Sequence, residues 1–300
     1  MKLRPVRFII EGLLPQGLHI FAGPPKIGKS WLLMQLALAV ASGKSLWGME
    51  TEQGTVLSLC LEDNYARLQQ RVSELTDEPP DSLHLATISQ SLSDGLCEQL
   101  EDFLREHDDT NLVIIDTLQK VRGNSGDGNF YASDYQDISM LKRIADEYEI
   151  ALVLVHHLRK READDPHDMI SGTTGLIGAA DGSYVLRRVH RGDIEVQLYI
   201  RGRDMEEKAF SLVRDEELGE WTLVSCDVPL EDVFQKEPAL LKVVAFIKSA
   251  DSFEGTASKL VEHLELDIQP NILTRKIGRY RQELLRDCLL YTSDAADDLT

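Results

Sequence analysis

The chain has 300 residues, of which 43% are hydrophobic and 28% charged, and its formal net charge is −19. That length can bury a full α/β core with room for a small second domain, while the acidic balance disfavours broad, non-specific adhesion to nucleic acid, which needs a net basic surface, and leaves room for a local basic channel or helix. The longest apolar stretch, 31–41, is too short to span a bilayer, and the four cysteines, Cys60, Cys97, Cys226 and Cys288, are isolated, so a reduced cytoplasmic setting with no signal peptide and no membrane partner is expected.

The first predicted strand, 18–22, is apolar and runs into Gly23-Pro24-Pro25-Lys26-Ile27-Gly28-Lys29-Ser30. This segment reads GxxxxGK[ST], the phosphate-binding loop pattern. Its glycines let the backbone turn tightly, so that N–H groups point at a β-phosphate. Trp31 opens an apolar helix over 31–41, and Gly43 is a suitable stop. The helix N-terminus adds partial positive charge. Lys29 is expected to reach the β- and γ-phosphates of ATP, and the Ser30 hydroxyl to bind Mg²⁺. Residues 23–31 are thus the expected nucleotide-binding set.

A strand over 55–61 ends at Glu62-Asp63. Hydrolysis needs a carboxylate to orient and polarise the attacking water, and Glu62 is the candidate. Asp63 is suited to capping the helix predicted over 65–75. After a helix over 96–107, the apolar strand 112–115 ends in Asp116, where a carboxylate can hold a Mg²⁺-bound water. A helix over 135–148 precedes the strand 151–155, which ends in His156-His157. A histidine there can hydrogen-bond a γ-phosphate and report its loss to the following loop. No third ligand stands at metal spacing, so zinc is not expected.

From 182 to 225 the pattern changes to alternating apolar and polar residues, predicting antiparallel strands over 184–188, 194–201, 209–214 and 221–224 that extend the sheet. A polar link over 231–238 leads to helices predicted over 239–249, 257–263 and 271–286, with Thr256 capping the second and Pro270 opening the third. The expected organisation is an α/β ATPase domain over 1–230 and a helical, winged-helix-like unit over 231–287. Residues 288–300 read like translated adapter sequence, in which case the helical unit is truncated.

Several segments occur in a telling order: Glu11-Gly12-Leu13-Leu14-Pro15, the phosphate loop, Leu61-Glu62-Asp63, Ile114-Ile115-Asp116-Thr117-Leu118 and Val155-His156-His157-Leu158-Arg159-Lys160. Ser171-Gly172-Thr173-Thr174-Gly175 and Arg201-Gly202-Arg203-Asp204 follow. Over 11–224 the chain resembles the AAA-family ATPases of the RecA-like superfamily, close to RepA-type plasmid replicative helicases. The resemblance implies a RecA-like core, a homo-oligomeric ring, usually of six, and ATP sites between subunits. It implies that Glu62 activates water and that His157 matches the γ-phosphate sensor better than His156. It also implies that Arg201 or Arg203 is the finger reaching a neighbour's ATP. An arginine there can stabilise phosphoryl transfer.

In such rings the loops after the Asp116 strand and the histidine strand line the central channel. Here these are 120–131, with Lys120, Arg122, Phe130 and Tyr131, and 158–175, with Arg159, Lys160 and Arg161. Basic groups beside aromatics suit single-stranded DNA. The helix predicted over 271–286 carries Arg275, Lys276 and Arg279, the first and last four residues apart and on one face, a second candidate DNA contact. The expected function is a Mg²⁺-dependent hexameric DNA helicase or translocase of a plasmid, phage or other mobile element. The alternative is an ATP-controlled DNA-binding regulator.

Overall fold

The computed structural model describes residues 6–122, 130–159, 163, 165–171, 174–188, 194–215, 219–226, 238–249 and 255–279. The chain separates into two compact units, 1–226 and 227–300.

The first unit is built on a nine-stranded sheet. A small ribbon, β1 (Phe8–Ile10) with β2 (Leu14–Pro15), precedes it. The parallel part comprises β3 (Gly17–Ala22), β4 (Thr55–Cys60), β5 (Leu83–Ala86), β6 (Thr110–Asp116), β7 (Ala151–His156) and β8 (Gly182–Arg187). The antiparallel part comprises β9 (Glu195–Gly202), β10 (Lys208–Arg214) and β11 (Trp221–Cys226). The strand order is β11-β10-β9-β8-β3-β7-β6-β4-β5. The predicted change from parallel to antiparallel pairing occurs between β8 and β9.

The helices between strands are α1 (Lys29–Ser42), α2 (Tyr65–Leu75), α3 (Leu96–Glu106), α4 (Leu118–Val121), α5 (Phe130–Glu147) and α6 (Thr174–Ala179). A 3₁₀ turn covers Pro166–Met169. Strands covered on both faces must be apolar throughout, and β6 and β7 are buried along their whole length. Their alternation feeds two cores. Leu112, Ile114, Val153 and Val155 pack with Leu32, Leu36 and Val40 of α1. Val113, Ile115, Leu152 and Leu154 pack with Leu100 of α3 and Leu141 of α5. Helix α1 is apolar on nearly every side because β9 to β11 curl over it, contributing Leu198, Leu212 and Trp221 to the same core.

Helix α5 begins at Phe130, five residues before the predicted start, so Phe130 and Tyr131 belong to a helix rather than a loop. Strand β5 was not predicted. It has four residues, none fully buried, and too little alternation to stand out from turn sequence.

The second unit contains α7 (Pro238–Ser249), α8 (Ala257–His263) and α9 (Pro270–Arg279) around Leu240, Val243, Val244, Leu260, Leu266 and Leu273. Thr256 caps α8 by accepting from the Lys259 N–H at 3.4 Å, and Pro270 opens α9, as the sequence predicts. No strand occurs among the described residues of this unit. The continuation of the last helix to 286 and the segment 288–300 lie outside the described residues.

Candidate nucleotide-binding site

Parallel pairing brings the predicted hydrolysis residues to one end of the sheet. β6 and β3 are not neighbours: β7 lies between them, and β4 flanks β6 on its other side. The register sets Ala22 opposite His156 and Cys60 opposite Asp116. Glu62, Asp116, His156, His157 and the phosphate loop therefore emerge from the C-terminal ends of β4, β6, β7 and β3. Ligands of open parallel sheets bind at that end.

The loop is closed over its own lysine. The Lys29 ammonium donates to the carbonyls of Gly23 at 2.9 Å and Pro24 at 3.1 Å. Burial lowers its pKa, while the negative fields of Asp116 and Glu62 work the other way. Lys26 and Gly28 adopt positive φ, 62° and 102°. No side chain caps the start of α1, so its opening N–H groups, ahead of the Trp31 N–H that donates to the Gly28 carbonyl at 3.1 Å, can serve phosphate oxygens. Gly28 is required twice over. Its φ disfavours any side chain, and an added Cβ would stand 2.6 Å from Cζ2 of Trp221.

The Ser30 hydroxyl donates to Asp116 Oδ2 at 2.9 Å. Burial raises the Asp116 pKa, and the neighbouring charges of Glu62 and Asp63 push the same way. A buried carboxylate among other acids, with a serine hydroxyl on it, fits a divalent cation, which would neutralise the cluster. Glu62 is exposed, and its Oε1 accepts from Thr117 Oγ1 at 3.3 Å. Thr117 follows Asp116 across a cis peptide bond.

The two histidines differ in direction. His156 is buried at the end of β7, on the face that carries Leu152 and Leu154. Alternation continued by one residue puts His157 on the opposite face, the one shared with α1. The His157 carbonyl accepts from the Ser171 hydroxyl at 2.5 Å and the Ser171 N–H at 3.1 Å. Leu158 bridges to Ile170, which ties the base of the following loop together.

Asp63 does not cap α2. Asn64 does, accepting from the Arg67 N–H, while Asp63 accepts from Arg67 at 3.0 Å and from Arg71 at 2.7 Å. Trp31 lies beside this pair, with the guanidinium carbon of Arg71 5.3 Å and that of Arg214 4.3 Å from its ring centroid. Trp221 reaches the loop from β11. Its indole N–H donates to the Gly28 carbonyl at 3.4 Å, and Gln35 holds its backbone with bonds of 2.8 and 3.0 Å. Thr117, Arg71 and Trp221 were missed in the sequence because none carries a local signature. Trp221 meets the loop only through strand order.

Arg201 and Arg203 do not join this cluster. Gly202 lies opposite Gly182, which lies opposite His19 in the N-terminal half of β3. About 13 Å of strand separates that level from the phosphate loop. Arg201 donates to Asp165 at 2.7 Å and Glu207 at 2.6 Å. Arg203 donates to the Gly178 carbonyl at 2.9 Å and lies 3.5 Å from Asp181. It lines an open cleft of about 580 Å³ with Tyr135, Lys142 and Arg143.

Of the predicted DNA contacts, Arg122 is turned inward against Asp137 at 3.4 Å, with 14% of its side chain exposed. Arg159 is exposed, whereas Lys160 and Arg161 lie outside the described residues. On α9, Leu273 packs inward and Arg275 is exposed. Lys276 is half-buried, and the side chain of Arg279 lies outside the described residues. No described helix is long and apolar enough to cross a membrane.

Comparison with solved structures gives the same architecture at low identity. An isolated ATPase domain aligns over 70% of this chain and 85% of its own, at 14% identity and a TM-score of 0.56. A DnaB-like replicative helicase, described with its interactions with primase, aligns over 73% of this chain and 62% of its own (14%, 0.58). A KaiC-like protein from the hyperthermophilic archaeon Pyrococcus horikoshii OT3 aligns over 75% of this chain and 100% of its own (14%, 0.52). No curated protein sequence matches. The α/β core is thus RecA-like, with an antiparallel extension. A model of the AAA domain (AAA_25) matches residues 2–163, more than half of the chain, and the chain belongs to that family.

Proposed function

We propose that this protein is a Mg²⁺-dependent ATPase that assembles head to tail into a ring, of six subunits by its resemblance, and translocates on or unwinds DNA in replication of a plasmid, phage or other mobile element. The observation that carries this is the convergence of Lys29, Ser30, Glu62, Asp116 and His157 at the C-terminal ends of four neighbouring strands. Phosphoryl transfer to water asks for little beyond positioning and charge stabilisation, which these groups supply. Residues 23–31 bind ATP, with Lys29 on its phosphates. Ser30 and Asp116 hold Mg²⁺, which screens phosphate charge. Glu62, steadied by Thr117, orients the attacking water. His157 faces the loop and is the γ-phosphate sensor, passing its state to the following loop through Ser171.

The finger acts from a neighbour. In their own subunit Arg201 and Arg203 are engaged by Asp165, Glu207, Asp181 and the Gly178 carbonyl, and head-to-tail association would offer one of them to the next subunit's site. Arg203 suits the role better than Arg201, because two close carboxylates already neutralise Arg201. Single-stranded DNA is the partner, met by Arg159 with Lys160 and Arg161. The helicase-like neighbours favour a motor, while a KaiC-like protein of the same fold, at the same identity, means that architecture alone does not choose. The separate second unit, with Arg275 exposed on α9, favours a regulator that binds a specific DNA site as the second reading.

ATP turnover and strand displacement on a forked duplex test the proposal together. Turnover abolished by Lys29→Ala, with ATP-dependent displacement by the wild type, is the expected result. Unchanged turnover in Lys29→Ala refutes the ATPase. Turnover without displacement transfers the proposal to the regulator, which deletion of residues after 238 then checks by loss of site-specific binding.

A further inference from the structure

We propose that Arg71 is a positioning residue for Glu62, acting through Asp63 while braced on Trp31. The inference rests on Glu62 being the residue that orients water. Glu62 is exposed, and its described side-chain contact is a single long hydrogen bond from Thr117. Its place, close enough for its charge to be felt by Lys29 and Asp116, is therefore set mostly by the backbone on either side. On one side is β4. On the other is Asp63, whose N–H donates to the Cys60 carbonyl at 3.1 Å and whose carboxylate is held on one oxygen by the buried Arg71 at 2.7 Å and on the other by the exposed Arg67 at 3.0 Å.

The Asp63–Arg71 pair is unusually deep for a surface helix. Both side chains are 8% exposed. Arg71 is one of two buried residues on α2, the other being Leu68. An apolar residue at 71 would bury the helix as well, since buried ion pairs seldom stabilise more than hydrophobic residues of similar volume. What the pair supplies is direction. The planar guanidinium points one N–H at Asp63 and sets its carbon 5.3 Å from the centroid of Trp31. Trp31 follows Ser30 in the first turn of α1. One side chain thereby references the water-orienting acid to the helix that carries the phosphate loop. A displacement of about 1 Å at a reacting group costs on the order of 100-fold in rate.

The full-length chain is assayed as wild type, Arg71→Met, Arg71→Lys, Asp63→Asn and Glu62→Gln, with Arg71→Met also placed in the last two backgrounds. Readouts are kcat and KM for Mg·ATP, equilibrium binding of a fluorescent ATP analogue, and the urea midpoint. Arg71→Met is expected to lower kcat by about 10- to 100-fold while KM and analogue affinity stay within about twofold. Arg71→Lys, which keeps the charge, is expected to fall between. Arg71→Met is expected to add nothing to Asp63→Asn or to Glu62→Gln, because the residues act as one unit. A role confined to holding α2 would lower the urea midpoint and leave kcat of the folded protein alone. That result overturns the inference, as do a raised KM with unchanged kcat and a full additional loss in the Glu62→Gln background. Should Arg71→Met not fold, Arg71→Lys decides on the same split. If Glu62→Gln hydrolyses ATP at the wild-type rate, the role of Glu62 falls, and the inference with it. If Glu62→Gln is inactive and the Arg71 variants are not, only the inference falls.

Discussion

Replacing Asp116 by Asn is expected to stabilise the protein without ligand and to destabilise it, relative to wild type, with ligand. Asp116 is 8% exposed and shares its surroundings with Glu62 and Asp63. Its pKa is raised, with burial the leading cause. A folded-state pKa above the unfolded value means that folding favours the protonated form. The ionised carboxylate therefore opposes folding at neutral pH, and this opposition disappears as pH falls through the raised pKa. Asn keeps an oxygen to accept from Ser30, 2.9 Å away in the wild type, and removes the charge. Relief of a strained functional site of this kind is worth about 1 kcal/mol, or roughly 2–4 °C for a unit of this size. Ligand at a hundred times its Kd stabilises the wild type by about 2.7 kcal/mol, and Asp116→Asn, without the carboxylate proposed to hold Mg²⁺, is expected to gain less. Thermal midpoints in EDTA and in saturating Mg·ATP should thus cross: the variant above wild type in the first, below it in the second. In EDTA the gap should close as pH is lowered, because protonated Asp116 resembles the amide. A variant less stable than wild type in EDTA at neutral pH would refute the reasoning.

Gly28→Ala places a side chain at φ 102° and a Cβ 2.6 Å from Trp221, so a loss of about 1–3 kcal/mol and weaker ATP binding are expected by denaturant titration and analogue binding; an unchanged midpoint would contradict the packing of β11 on the loop. His19 is fully buried, and burial lowers its pKa from 6.5 to about 4. The unfolded chain binds a proton first as pH falls, so this residue removes about 3 kcal/mol of stability between pH 6.5 and pH 4. Unfolding free energies of wild type and His19→Gln, from urea titrations across that window, should diverge by this amount, and parallel curves would rule it out. Arg203→Ala and Lys29→Ala, each inactive alone, should recover activity when mixed, because on the order of a quarter of randomly formed interfaces are then intact. Absence of any recovery counts against a shared site.

Much of the site was legible because its chemistry is local in sequence. The phosphate loop is one continuous segment whose glycines and lysine act through their own backbone, and Asp116 and the His156-His157 pair announce themselves by ending apolar runs. The helix stop at Gly43 and the cap at Thr256 were readable for the same reason, since each bonds within a few residues. Asp63 was not readable. A cap and an ion pair both ask for an acid at a strand end, and only the approach of Arg71 on the next helix face separates them.

From the sequence alone came the expected nucleotide, the expected metal and the main strands and helices of the core, because P-loop chemistry and hydrophobic period are encoded by near neighbours. The tertiary structure decided which side chains meet. It inserted β7 between β3, which leads into the phosphate loop, and the strand of Asp116, bringing the end that carries His156 beside the phosphate loop. It folded β11 back so that Trp221 seats against Gly28. It engaged Arg201 with Asp165 and Glu207, and Arg203 with Asp181 and the Gly178 carbonyl, rather than with the phosphate-loop cluster. These outcomes depend on strand order and register, which arise from packing between residues far apart in the chain and leave no mark on the short sequences that take part.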